Sequence, residues 1–96
     1  MITRNLILKN KENKIETVFN DLNDNSIAFI CHPHPLFGGS INNKVVTTLE
    51  KSFNENNTST IKFNFRGVGR STGKHDNGIS EIKDLKFVFD TFMNIR

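Results

Sequence analysis

Short apolar and alternating runs open the chain. Ile2 to Leu8 and Ile15 to Phe19 flank the polar stretch Asn10-Lys11-Glu12-Asn13. Alternation over a few residues marks a strand with one covered face, so the pattern predicts two strands joined by a turn. Asp21 to Asn25 is dominated by Asp and Asn, which bond their own backbone and tolerate left-handed geometry, and this predicts a second turn. Ile27-Ala28-Phe29-Ile30-Cys31 is continuously apolar. That is the pattern of a strand covered on both faces in a parallel sheet. Pro33 and Pro35 end it, since neither can donate to a ladder.

Beyond the prolines the period changes. Val45, Val46, Leu49 and Phe53 recur three or four apart, predicting a helix from about Asn42 to Asn56 with one buried stripe. Ile61, Phe63 and Phe65 alternate with Lys62 and Asn64, predicting another strand. A glycine-rich loop, Arg66 to Gly78, precedes a second helix from about Ser80 to Ile95. Ile82, Leu85, Val88, Phe89 and Phe92 share one of its faces. Ser80 is its expected N-cap, and Glu81 and Asp84 suit the positive end of the helix dipole. The order is β-β-β-α-β-α, an α/β fold in one domain over residues 1–96, with a mostly parallel sheet and right-handed crossovers. The last predicted element is a helix with no strand after it, so the domain is expected to be incomplete.

Composition changes the picture little. With 35% hydrophobic and 24% charged residues the 96-residue chain is an ordinary globular sequence. The net charge of +3 is spread over scattered Lys and Arg, without the block that marks a nucleic-acid arm, so no nucleic-acid partner is expected. Cys31 is the single cysteine, which rules out an internal disulfide and fits a reducing compartment. Its place at the end of an apolar run predicts a buried structural thiol. No apolar stretch nears the ~20 residues that span a bilayer. Lys9 and Lys11 break the N-terminal run too early for a signal peptide, so the expected location is the cytoplasm, away from membranes.

Two loops could carry chemistry. Cys31 to Ser40 lies between a strand and a helix, where ligand sites of α/β sheets gather. Pro33 and Pro35 lack an N–H, which leaves His34, Leu36 and Phe37 as donors before the glycines. An oxyanion hole needs such fixed N–H groups, although a loop of this length can equally be a rigid connector. His32 and His34 would point to one side of an extended backbone, with His75 and Asp76 the nearest further ligands. That falls short of a metal site, and no metal is expected.

The second loop, Arg66 to Gly73, contains a literal G-x-S-x-G around Ser71. A nucleophile elbow demands the serine directly between strand and helix, whereas here it stands well away from both. Nor do the 25 residues after Ser71 offer room for an Asp and a His partner. Gly67, Gly69 and Gly73 also approach a dinucleotide fingerprint, but residues 74–78 part them from the helix that should hold the phosphate.

Three segments together resemble the predicted α/β-superfamily hydrolases, relatives of the serine aminopeptidase and dienelactone hydrolase-like branches. They are His32-Pro33-His34-Pro35-Leu36-Phe37-Gly38-Gly39-Ser40 with Asn43-Lys44-Val45-Val46, then Phe63-Asn64-Phe65-Arg66-Gly67-Val68-Gly69-x-Ser71-x-Gly73, then Asp76-x-Gly78-x-x-Glu81-x-x-Asp84-Leu85. Two departures lie before the last helix: His75 where an aromatic residue is usual and Ser80 where a glycine is usual.

The resemblance implies the N-terminal part of an α/β-hydrolase fold. It gives oxyanion-hole N–H groups to Leu36, or to His34 if the loop turns earlier. The nucleophile, acid and histidine of a Ser-His-Asp triad would come later than this chain reaches. The expectation is a truncated serine hydrolase, inactive alone and using no cofactor, whose intact relatives cleave a small-molecule ester or amide. Its further partner would be a complementary C-terminal fragment or a second copy of itself. The resemblance pairs the strand Ile27–Cys31 with the strand Ile61–Phe65 on one side. The other side, and part of Val88, Phe89 and Phe92, would lack cover. Two other readings stay open: a small anion- or nucleotide-binding module, and an interaction subunit completing another chain.

Overall fold

The computed structural model describes residues 1–11, 13–23, 25–34, 39–76 and 78–94. β1 (Ile2–Asn10) and β2 (Asn13–Asp21) form an antiparallel hairpin whose register runs from Asn10 opposite Asn13 to Ile2 opposite Asp21. Lys11 takes φ 52° at its tip, the left-handed geometry that short hairpin connections use. After β2 the Asp/Asn segment turns as its chemistry predicts. The Asn23 N–H donates to Asp21 Oδ1 at 2.7 Å, and Asn23 takes φ 56°.

β3 (Ile27–Cys31), α1 (Lys44–Glu55), β4 (Ser59–Phe63) and α2 (Glu81–Asn94) follow in the expected order. The strands lie β1-β2-β4-β3 across one sheet. β3 and β4 are parallel, with Phe29 opposite Ile61, as the α1 crossover requires. β4 meets β2 antiparallel, with Phe19 opposite Ile61. The sheet of these residues is therefore mixed, and its parallel character is confined to β3–β4. The hairpin makes β1–β2 antiparallel, and the non-local β2–β4 pairing is antiparallel as well.

Alternation along β4 sorts the two faces. Ile61 and Phe63 join Ile15, Phe19, Val88 and Phe92 in one buried cluster beneath α2. Phe19 and Phe92 meet edge to face at 5.1 Å. Each such side chain contributes roughly 1.5–3 kcal/mol when buried, so this cluster holds α2 to the sheet. Of the predicted α2 face, Val88 and Phe92 reach the core, while Ile82, Leu85 and Phe89 stay exposed.

α1 departs further from its pattern. Val46 is buried, but Val45, Leu49 and Phe53 are 64%, 43% and 38% exposed, so the expected stripe is not what the helix buries. Polar anchors set its rotation instead. Asn20 Nδ2 donates to Glu50 Oε2 at 2.7 Å and to Asn54 Oδ1 at 3.2 Å, and Lys62 Nζ donates to Glu50 Oε1 at 2.9 Å. The row Val46-Glu50-Asn54 thus faces the sheet, rotated about 100° from the apolar row. Asn43 caps α1, its side chain accepting the Val45 and Val46 N–H groups.

Two smaller expectations are corrected. Cys31 is exposed rather than buried, because β3 lies at the sheet edge of the described residues. β4 stops at Phe63, short of Phe65, because the Phe65 N–H turns to a histidine nitrogen instead of a ladder carbonyl. Among the described residues no helix is long and apolar enough to cross a membrane.

Candidate functional site

A cavity of about 320 Å³ opens at the carboxyl ends of β3 and β4. His32, Pro33, His34, Phe65, His75, Gly78 and Glu81 line it. His32 forms its buried floor. Its Nε2 accepts the Phe65 N–H at 3.0 Å, which leaves Nδ1 to donate to the Pro33 carbonyl at 2.7 Å. Burial pushes its pKa below the ordinary histidine value; the Pro33 bond opposes that, and nearby His75 adds to it. A neutral imidazole with both nitrogens committed is a tie between the exits of β3 and β4. It would have to break one of those bonds to ligate a metal. Among the described residues no three His, Cys, Asp or Glu side chains gather as a metal cluster.

The candidate oxyanion loop starts from this tie. The Gly39 N–H donates to the His34 carbonyl at 3.2 Å, so the loop folds back on its own start. A Cβ on Gly39 would fall 1.6 Å from the Pro33 oxygen, a closeness that admits glycine alone. His34 is half-buried at the cavity wall, its ring edge-on to His75 with centroids 4.3 Å apart. Leu36, the other candidate donor, lies outside the described residues, as do Pro35, Phe37 and Gly38.

Opposite this loop stands a pair that sequence reasoning missed. His75 Nδ1 lies 2.8 Å from Glu81 Oε2, but out of line for an N–H bond, and neither ring nitrogen has a hydrogen-bond partner among the described residues. Glu81 is held by the N–H groups of Asp76 at 3.0 Å and Gly78 at 2.8 Å. The Ser80 hydroxyl, together with the Ser80 N–H at 2.7 Å, holds the Asp76 carboxyl down to about 2. Ser80 thus stands where a cap belongs but turns its hydroxyl to Asp76. A loop pair six residues apart leaves no periodic trace in a sequence.

The glycine loop after β4 is built as a support. Ser71 is buried; its Oγ donates to the Asn64 carbonyl and accepts the Glu16 N–H at 2.8 Å. The N–H groups of Gly67, Val68, Arg70, Ser71 and Thr72 all donate to oxygens of the protein itself. Glu16 Oε1 accepts from Arg70 N–H and from Asn64 Nδ2, each at 2.8 Å, which puts a carboxylate where an anion would have to sit. Asn64 Oδ1 also receives the Ile41 N–H at 2.8 Å, joining this loop to the turn before α1.

No family model matches the chain. Three solved structures resemble it closely. An α/β serine hydrolase homologue from Coxiella burnetii matches with a TM-score of 0.80 and 41% identity, over 94% of this chain and 45% of that one. A protein of unknown function from Agrobacterium tumefaciens, assigned to the α/β hydrolases, matches with a TM-score of 0.88 and 33% identity, over 96% and 43%. An α/β serine hydrolase without a lid from Xanthomonas campestris gives 0.80 and 32%, over 90% and 42%. In sequence the chain is 47% identical over 64 residues to an uncharacterised protein of Rickettsia prowazekii, 67% of this chain and 27% of that one. Two of these structures are described as α/β serine hydrolases or a homologue of them and the third as an α/β hydrolase, which supports a relationship to the α/β-hydrolase superfamily. The chain spans under half the length of each of these relatives.

Proposed function

We propose that these 96 residues are the oxyanion side of a cytoplasmic serine hydrolase of the predicted α/β-superfamily hydrolase type. Its intact relatives would cleave small-molecule esters or amides with a Ser-His-Asp triad. In this reading the oxyanion N–H belongs to Leu36, or to His34 if the loop turns earlier, and the nucleophile, acid and base come from residues these 96 do not include. The chain by itself is then inactive. The cavity at the carboxyl ends of β3 and β4 carries the reading, because the His32 tie anchors beside it the start of the loop whose N–H groups an oxyanion hole would use.

Ser71 supports the inactivity. Both of its hydrogen-bonding directions are spent on backbone, and among the described residues no histidine bonds to it. The alternative of an anion- or nucleotide-binding glycine loop is disfavoured by the same geometry. The N–H groups of Gly67, Val68, Arg70, Ser71 and Thr72 are consumed internally and Glu16 lies among them.

A fluorophosphonate probe tests the proposal. The chain alone should remain unlabelled, as should its Ser71→Ala variant. Labelling of the chain that Ser71→Ala abolishes would overturn it.

A further inference from the structure

His75 stands where the resemblance to the hydrolases has an aromatic residue as the usual one. Its ring keeps an aromatic contact, meeting His34 with centroids 4.3 Å apart and planes at 79°. That contact joins the loop after β3 to the loop after β4, and both rings line the cavity. What a histidine adds is two ring nitrogens. Both are buried, and neither has a hydrogen-bond partner among the described residues. Native structures rarely keep unpaired polar atoms out of water, so the two nitrogens call for a reason. Nδ1 lies 2.8 Å from Glu81 Oε2, out of line. Glu81 is not free to turn toward it, because the Asp76 and Gly78 N–H groups hold its two oxygens. His32 and His34 reach the ring from the loop after β3 and Glu81 from α2. Lys74 and Asp76 adjoin it in its own loop, and Arg66 nearby is taken up by Asp84.

We propose that His75 is a proton-operated clasp between the two loops. Unprotonated, the ring packs against His34 and holds the loops together at the cavity. A proton taken up from water gives both nitrogens an N–H. The Nδ1–H then has Glu81 Oε2 as its acceptor, but only if the ring turns into line. Turning gives up the edge contact with His34, and the cavity opens between the loops. The exchange is favourable because a charge-assisted bond is stronger than one edge-to-face ring contact. A second proton on His34 would add like-charge repulsion in the same direction. A phenylalanine in this place would keep the contact at any pH, so the histidine itself creates the device. The clasp is independent of the hydrolase reading; only its consequence for an oxyanion N–H at His34 rests on that reading.

NMR of the labelled chain between pH 8 and 5, the window in which histidines change charge, tests it. The cross-peak between the His34 and His75 ring protons should be strong at pH 8. It should be largely lost once the His75 ring has titrated, and the loss should follow His75 rather than His32. His75→Phe keeps a ring in place without the proton, so its cross-peak with His34 should persist at pH 5. At that pH the Gly39 amide, which bonds the His34 carbonyl, should exchange faster in the unaltered chain than in His75→Phe. Glu81→Gln removes the charge that draws the ring away and should also preserve the contact. Circular dichroism and melting confirm that each variant folds, and His75→Phe decides the matter if Glu81→Gln does not.

A cross-peak unchanged through the His75 titration overturns the clasp. So does its strengthening, which would mean that the proton tightens the contact between the loops. Loss of the contact at pH 5 in His75→Phe would assign the opening to His32 or His34 and overturn it as well. None of these readouts depends on hydrolysis, so the clasp and the hydrolase proposal can fail separately.

Discussion

Arg66 and Asp84 hold each other through four hydrogen bonds. The Arg66 N–H and Nε–H reach Asp84 Oδ2 at 2.9 and 3.1 Å, while Nε–H and Nη2–H reach Oδ1 at 3.2 and 2.7 Å. Asp84 is 2% exposed, so the carboxylate is fully withdrawn from water at the start of α2. The pair fastens the loop after β4 to the helix that covers the core. Hydrogen bonding by Asp84 in turn pushes the guanidinium pKa above its ordinary value.

Asp84→Asn should therefore destabilise the fold by roughly 3 kcal/mol, because the guanidinium keeps its position but loses its charge partner. Urea melts at pH 7 check this. A loss below about 1 kcal/mol would show that the contact is closer to a surface salt bridge than to a buried one.

Gly69 and Gly78 make a controlled comparison. Both take positive φ, 55° and 96°, where a Cβ costs about 1–2 kcal/mol. At Gly78 the added carbon would meet nothing within 4 Å, whereas at Gly69 it would lie 2.4 Å from Asn64 Nδ2 and 2.6 Å from Glu16 Oε1. Gly69→Ala should thus lower the melting temperature clearly more than Gly78→Ala. Equal shifts would mean that Asn64 and Glu16 move aside without consequence.

Ser71→Ala removes a bridge and no chemistry. It strands the Asn64 carbonyl and the Glu16 N–H, a loss of about 1–3 kcal/mol in thermal or denaturant unfolding. Unchanged stability would be the surprising result, since it would release Ser71 for another role.

His32 sets a pH dependence. Its folded pKa lies below the unfolded value near 6.5, so the unfolded chain takes up the proton first. Its contribution to stability is complete above that value and declines as pH falls from about 6.5 toward the folded pKa. Stability measured between pH 8 and 5 should fall, and His32→Gln should flatten that slope. An imidazole titrating by NMR at or above the unfolded value would reverse the sign and refute the buried neutral tie.

Local chemistry already determined the elements of this protein. The Asp/Asn turn, the hairpin, the strand at β3 and the two helices follow from short-range rules of turn residues and apolar period, although of the run predicted to be covered on both faces only Ile30 is buried. Loop composition likewise marked residues 31–40 as the place to look. Tertiary structure decided which helix face meets the sheet. Apolar spacing alone favours Val45, Leu49 and Phe53, but Asn20 and Lys62, distant in sequence, capture Glu50 and Asn54 and rotate α1 away from that stripe. It also decided that Cys31 lies on an edge, that His32 spends both nitrogens on backbone, and that His75 meets Glu81. Periodicity records how a residue sits on its own element. Which element arrives opposite, and with what polar group, is set by the sheet order β1-β2-β4-β3, which no window of the sequence contains.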